Sequence, residues 1–116
     1  MNSPIEYIEK PWGKYETYYR DNKLAMKKLI VNPKSRLSLQ SHNGRNEIWV
    51  VLEGEAHINI NENTFVGGKD DFFIIQKNEK HRISNHHNTN MLIIAELAFG
   101  EVDENDIIRY QDDYKR

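Results

Sequence analysis

The chain has 116 residues, 16 Lys and Arg against 18 Asp and Glu, a formal net charge of -2, and no cysteine. That length suits one domain over residues 1–116 with a core of its own. The missing cysteine excludes disulfides, thiolate zinc sites and cysteine nucleophiles, and the interspersed charge offers no basic stripe for nucleic acid.

No early apolar run resembles a signal peptide, and no stretch approaches the length of a membrane span. A cytoplasmic location, with neither membrane nor nucleic acid as a partner, is the expectation. The first ten residues read as a ragged end. Trp12, between Pro11 and Gly13, reads as a staple that holds the N-terminal strand to the rest.

From there the dominant period is two. "LIVNPKSRLSLQSH" (29–42) leads into "EIWVVLEG" (47–54), then "AHININ" (56–61), "DDFFIIQ" (70–76), "HRIS" (81–84) and "MLIIAELAF" (91–99). Turn signals such as "NGRN", "NENT", "VGGKDD" and "NHHNTN" separate these runs. The spacing predicts an all-β antiparallel sandwich or barrel with little helix. In "AHININ", Ala56, Ile58 and Ile60 share one face, while His57, Asn59 and Asn61 share the other. Segment 103–110, "DENDIIRY", reads as one or two helical turns or a further strand.

Chemistry concentrates at 40–47. Gln40 and His42 are two apart and share a strand face. A short "NGRN" turn follows, and Glu47, Trp49 and Val51 share a face of the next run. If the two strands form a hairpin, Gln40, His42 and Glu47 converge on the interior, where a divalent cation would satisfy all three. A fourth ligand is expected from a distant strand, and His81, opening a strand after a turn, is the candidate. In the same pattern Ser41 and Asn46 read as outward spacers. His57 reads as solvated, and His86 and His87 as loop residues.

This arrangement, Gln40-x-His42-x4-Glu47, six residues to Gly54, then His81 with Asn85 four residues on, resembles the two motifs of the cupin superfamily. The flanks "KPWGKYE" (10–16), "RNEIWVVLEGEA" (45–56), "KHRISN" (80–85) and "DIIRYQDDY" (106–114) resemble the mannose-6-phosphate isomerase type II family. That family is the cupin domain found at the C-terminal end of bifunctional isomerase and GDP-mannose pyrophosphorylase chains. The resemblance implies a single cupin domain, a double-stranded β-helix or jelly-roll barrel, and a homodimer formed by strand exchange or edge pairing. It also implies isomerase chemistry without GDP-mannose synthesis, since no Gly-rich phosphate loop is present.

The implied reaction interconverts mannose 6-phosphate and fructose 6-phosphate through an enediol, which needs a Lewis acid and a base. Gln40, His42, Glu47 and His81 would hold one divalent metal. Zinc is the first choice, and Mn, Fe, Ni or Co are compatible with mixed nitrogen and oxygen ligands. Arg45, Arg109 and Lys27 are candidate cations for the substrate phosphate. Lys27 and Glu96 are candidate bases, Glu96 only if it faces inward. A metal-dependent oxygenase and a non-catalytic sugar-binding cupin are the competing readings.

The chain departs from the family at several places. Lys34 follows Pro33 where a Gly is usual, and Ile48 stands where a second His follows the ligand Glu. Gln76 and Asn78 replace a Pro and a Gly before the second ligand His, and Lys115 replaces a Gly near the end. Ile48 is expected to face away from the site, Asn78 to adopt a left-handed turn, and the turn at Lys34 to be built differently.

Overall fold

In the computed structural model, residues 3–114 are described. Twelve strands follow in order: β1 (Glu6–Lys10), β2 (Gly13–Arg20), β3 (Leu24–Val31), β4 (Ser35–Arg36), β5 (Leu39–Ser41) and β6 (Arg45–Glu53). The remainder are β7 (Ala56–Ile60), β8 (Asn63–Gly67), β9 (Phe72–Ile75), β10 (His81–Asn85), β11 (Leu92–Gly100) and β12 (Ile108–Gln111). No helix occurs among the described residues, so none is long and apolar enough to cross a membrane.

The strands form two antiparallel sheets. One has the order β1-β2-β3-β11-β6-β9; the other has the order β12-β5-β10-β7-β8, with β4 also paired to β10. Alternation along each strand decides what faces inward. In β6 the buried residues are Arg45, Glu47, Trp49 and Val51, with Asn46, Ile48 and Val50 between them less buried. Ile48 therefore faces away from Glu47, as expected.

The core closes one half of the space between the sheets. Leu29, Val31, Trp49, Val51, Leu92 and Ile94 from the first sheet meet Ala56, Ile58 and Ile83 from the second. Ile58, Ile83 and Ile94 are fully buried, each worth about 1.5–3 kcal/mol of hydrophobic stabilisation. Inward positions change from apolar to polar along the same strands: Val51 and Trp49 give way to Glu47 and Arg45. The barrel thus has an apolar end that holds it together and a polar end that offers chemistry.

Residues 6–10 are more regular than the sequence suggests. They form β1 and pair with β2, Ile8 opposite Tyr15. Trp12, in the turn between them, is buried against the core. Segment 103–110 supplies a strand rather than a helix, since β12 pairs with β5. Lys34 takes a φ of 55° and Asn78 a φ of 67°. Asn78 thus makes the left-handed turn expected of it, and Lys34 adopts backbone that glycine would take with less strain. Lys115 lies outside the described residues.

Candidate metal centre

The hairpin expected between residues 40 and 47 does not form. β5 pairs with β10 and β12, whereas β6 pairs with β11 and β9. The chain crosses from one sheet to the other through the turn at 43–44. Convergence comes from facing sheets: Gln40, His42 and His81 stand on one wall and Glu47 on the other.

His42, Glu47 and His81 are all buried, and one ligand atom from each lies within 4.8 Å of the others. Nε2 of His42 is 3.4 Å from Glu47 Oε2, and Nε2 of His81 is 3.8 Å from Glu47 Oε1. Each imidazole is oriented from behind. His42 Nδ1 is 2.6 Å from the Asp106 carbonyl and His81 Nδ1 is 2.9 Å from the Glu79 carbonyl. A carbonyl only accepts, so each Nδ1 donates, and Nε2 of each ring is left facing inward. Gln40 is the direct strand neighbour of His81 and borders the same space. That space is a cavity of about 30 Å³.

Charge agrees with this use. Burial alone would raise the Glu47 carboxyl, but His81, Arg45 and His42, with the indole N–H of Trp49 at 3.0 Å, hold it below the ordinary carboxylate range. Burial lowers His42, and Arg45 adds to that against the pull of Glu47, which favours the neutral ring a metal needs. Two imidazole nitrogens and one carboxylate form a donor set suited to a divalent ion.

A larger cavity of about 130 Å³ opens beside the centre. Gln40, His42, Arg45 and Glu96 border both spaces, while Lys27, Tyr15, Glu104 and Arg109 border only the larger one. Glu96 therefore faces inward, directly across the strand pair from Trp49 and from Lys27. Burial, reinforced by the Glu47 charge, pushes its carboxyl up to about 8. Lys27 Nζ pairs with Glu104 at 3.0 Å and lies 4.6 Å above the centre of the Tyr15 ring. Arg109 is exposed on β12 at the cavity wall.

Arg45, expected as a cation for the substrate phosphate, is bonded to the candidate ligands instead. It is buried, and its guanidinium donates to Glu47 Oε2 at 3.0 Å through Nε and to His42 Nε2 at 3.1 Å through Nη2. The two spacers also have partners. Ser41 is buried, 2.9 Å from the Tyr110 hydroxyl, and the Asn46 side chain accepts the Lys77 N–H at 3.0 Å. His57 is not simply solvated, because its ring stacks on His86 at 3.8 Å.

Sequence reasoning missed Asp106. Its carboxylate accepts the N–H groups of Asn43 (3.0 Å) and Gly44 (2.8 Å), while its carbonyl orients His42. Sixty-four residues separate it from His42, and its place at the head of "DIIRYQDDY" was the only signal. Asn78 was also missed in this role: its left-handed turn brings its N–H within 2.8 Å of the His42 carbonyl.

A family model described as mannose-6-phosphate isomerase C-terminal matches residues 4–112. The chain belongs to this family. Among its curated relatives, mannose-1-phosphate guanylyltransferase ManC of Salmonella typhimurium is 29% identical over 109 residues, covering 94% of this chain and 23% of the relative. Alginate biosynthesis protein AlgA of Pseudomonas aeruginosa is 31% identical with the same two coverages. The chain thus spans about a quarter of the length of the curated relatives it matches. Solved structures place the family member among cupins. An RmlC-like cupin from Shewanella frigidimarina superposes with a TM-score of 0.74 at 18% identity, covering 86% of each chain. The capsular polysaccharide assembling protein CapF of Staphylococcus aureus gives 0.77 at 16% identity, over 93% of this chain and 34% of that one. The fold is a cupin barrel.

Proposed function

We propose that the protein is a divalent-metal-dependent aldose–ketose isomerase that interconverts mannose 6-phosphate and fructose 6-phosphate. The observation that carries this reading is a single juxtaposition: His42, Glu47 and His81 line a small space that adjoins a larger cavity, with Glu96 bordering both and Lys27 on the wall of the larger one. The family's description supports the substrate class. The guanylyltransferase named for the relatives belongs to proteins about four times as long, so it is not carried over.

A divalent ion, zinc as first choice, would act here as a Lewis acid toward the sugar oxygens. The residues of the chain supply the rest. A base must take a proton from one carbon of the sugar and return it to the next, which suits a group that titrates near neutrality. Glu96, raised to about 8 and bordering the cavity, is that group. Of the two candidate bases, Lys27 takes the other role, because its ammonium is already paired with Glu104. Lys27 and Arg109, both at the cavity wall, are assigned to the phosphate. Arg45 is bound to the ligands themselves and is not counted among the phosphate groups.

The test is fructose 6-phosphate formation from mannose 6-phosphate by protein stripped with chelator and then reloaded with Zn²⁺ or Mn²⁺. Activity should vanish on stripping and return on reloading. Folded, metal-loaded protein that binds mannose 6-phosphate without turnover would make it a sugar-binding module instead.

A further inference from the structure

Arg45 and a metal make rival claims on His42. The Nδ1–H of that ring is committed to the Asp106 carbonyl, so Nε2 keeps a single lone pair. Arg45 Nη2 donates to this atom at 3.1 Å. Glu47 Oε2 has a second lone pair and could serve two partners at once; His42 Nε2 cannot. An N–H donor and a metal ion on His42 are therefore mutually exclusive.

The guanidinium is rigid and planar, so a shift that carries Nη2 off His42 tilts the whole fork and disturbs the Nε bond to Glu47 as well. The side chain has somewhere to go, because Arg45 also borders the larger cavity beside Gln40 and Glu96. We propose that Arg45 is a resident cation that competes with the divalent ion for His42 and withdraws into the substrate cavity when the ion binds. This rests on reading His42, Glu47 and His81 as metal ligands. It adds that the centre holds together with either cation, and that metal affinity is set partly by what the metal must displace.

The competition is measurable without any turnover assay. Zn²⁺ is titrated against a chromophoric chelator in the wild type, Arg45→Met and His42→Ala, each checked for folding by thermal melting. Arg45→Met keeps the bulk of the side chain but removes both donors. It should bind Zn²⁺ about tenfold more tightly or better, since a charge-assisted bond no longer has to be broken. A folded Arg45→Met protein with equal or weaker affinity overturns the proposal.

Loss of simple charge repulsion would also tighten binding, so a second readout separates the two. The Arg45 Nε–H resonance should exchange slowly with solvent before metal is added and rapidly once Zn²⁺ is bound. Slow exchange that persists in Zn²⁺-loaded protein overturns the proposal. If the wild type and His42→Ala both fail to bind Zn²⁺, the metal reading falls and takes this one with it. If wild type binds and His42→Ala does not, the metal reading stands, and the two Arg45 readouts decide the competition alone.

Discussion

His42 and Glu47 are five residues apart in the chain yet stand on opposite sheets, and their Nε2 and Oε2 atoms meet at 3.4 Å. The crossing at residues 43–44 makes this contact. A turn that joined paired neighbours would have put both residues on one wall, and the space between them would not exist. Ligand geometry at this site is thus a property of how the sheets face each other.

A metal bound here should stabilise the fold. Zn²⁺ at a hundred times its dissociation constant would add about 2.7 kcal/mol. For a chain of this size that raises the melting temperature by roughly 8–16 °C at about 3–6 °C per kcal/mol. His42→Ala and His81→Ala should each abolish the increase. Differential scanning fluorimetry with and without Zn²⁺ reads it, and an unchanged increase in His81→Ala would remove that residue from the ligand set.

Asp106 acts on the metal through His42 and the turn, and does not touch the ion. Asp106→Ala frees the N–H groups of Asn43 and Gly44 and loosens the segment whose carbonyl aligns His42. Loss of an orienting partner costs metal affinity about 10–100-fold. Zn²⁺ titration of the folded variant should show a loss in this range, and full affinity would mean that the backbone carbonyl suffices.

Glu96 should leave a mark on the pH dependence of stability. Its carboxyl titrates near 8 in the folded chain against an ordinary 4.5, so the folded state holds a proton that the unfolded state has released. Stability then falls as pH rises through that window. His42, lowered from 6.5, works in the opposite sense below that value. Between about 6.5 and 8 the fall should be clear. Burial raises the Glu96 value most, Glu47 on β6 and Glu104 add to the rise, and Lys27 on β3 and Arg45 pull against it. Chelator-treated Glu96→Gln should be flat across the same interval, and a parallel fall in both proteins would assign the effect elsewhere.

Two substitutions outside the ligand set separate fold from chemistry. Ser41→Ala removes the bond to Tyr110 and should cost about 1 kcal/mol of stability while leaving Zn²⁺ affinity intact. Lys34→Gly relieves a left-handed lysine and should gain about 1 kcal/mol. Urea denaturation of both proteins gives the two signs.

The sequence carried the strands and the ligand residues further than it carried the way they meet. Period-two alternation placed Glu47 with Trp49 and Val51, and Ala56 with Ile58, because one face of each strand must be buried. The turn at 43–44 was misread because a short polar turn between two strand patterns looks the same whether the strands pair or part. Glu96 was legible only as a charge in an apolar run. Its inward aim depends on the register of β11 against β3 and β6, which no local pattern encodes. Arg45 was recognised as a cation near the ligands, but its bonds to His42 and Glu47 follow from three-dimensional proximity at a strand end. Asp106 illustrates the remaining gap: a residue that fixes a turn from sixty-four positions away leaves no local trace.

The clamp on the crossing turn also bears on how this protein ages. Asn43 is exposed and precedes Gly44, and asparagine is a thermolabile residue that can lose its side-chain amide as ammonia. The nitrogen that would attack that amide is Gly44 N, whose hydrogen is held on Asp106 Oδ2 at 2.8 Å. With the attacking atom tethered, the turn should be slow to close the succinimide ring through which Asn43 would become aspartate or isoaspartate. Asp106→Ala should therefore speed deamidation at Asn43, which peptide mapping after incubation at neutral pH would read.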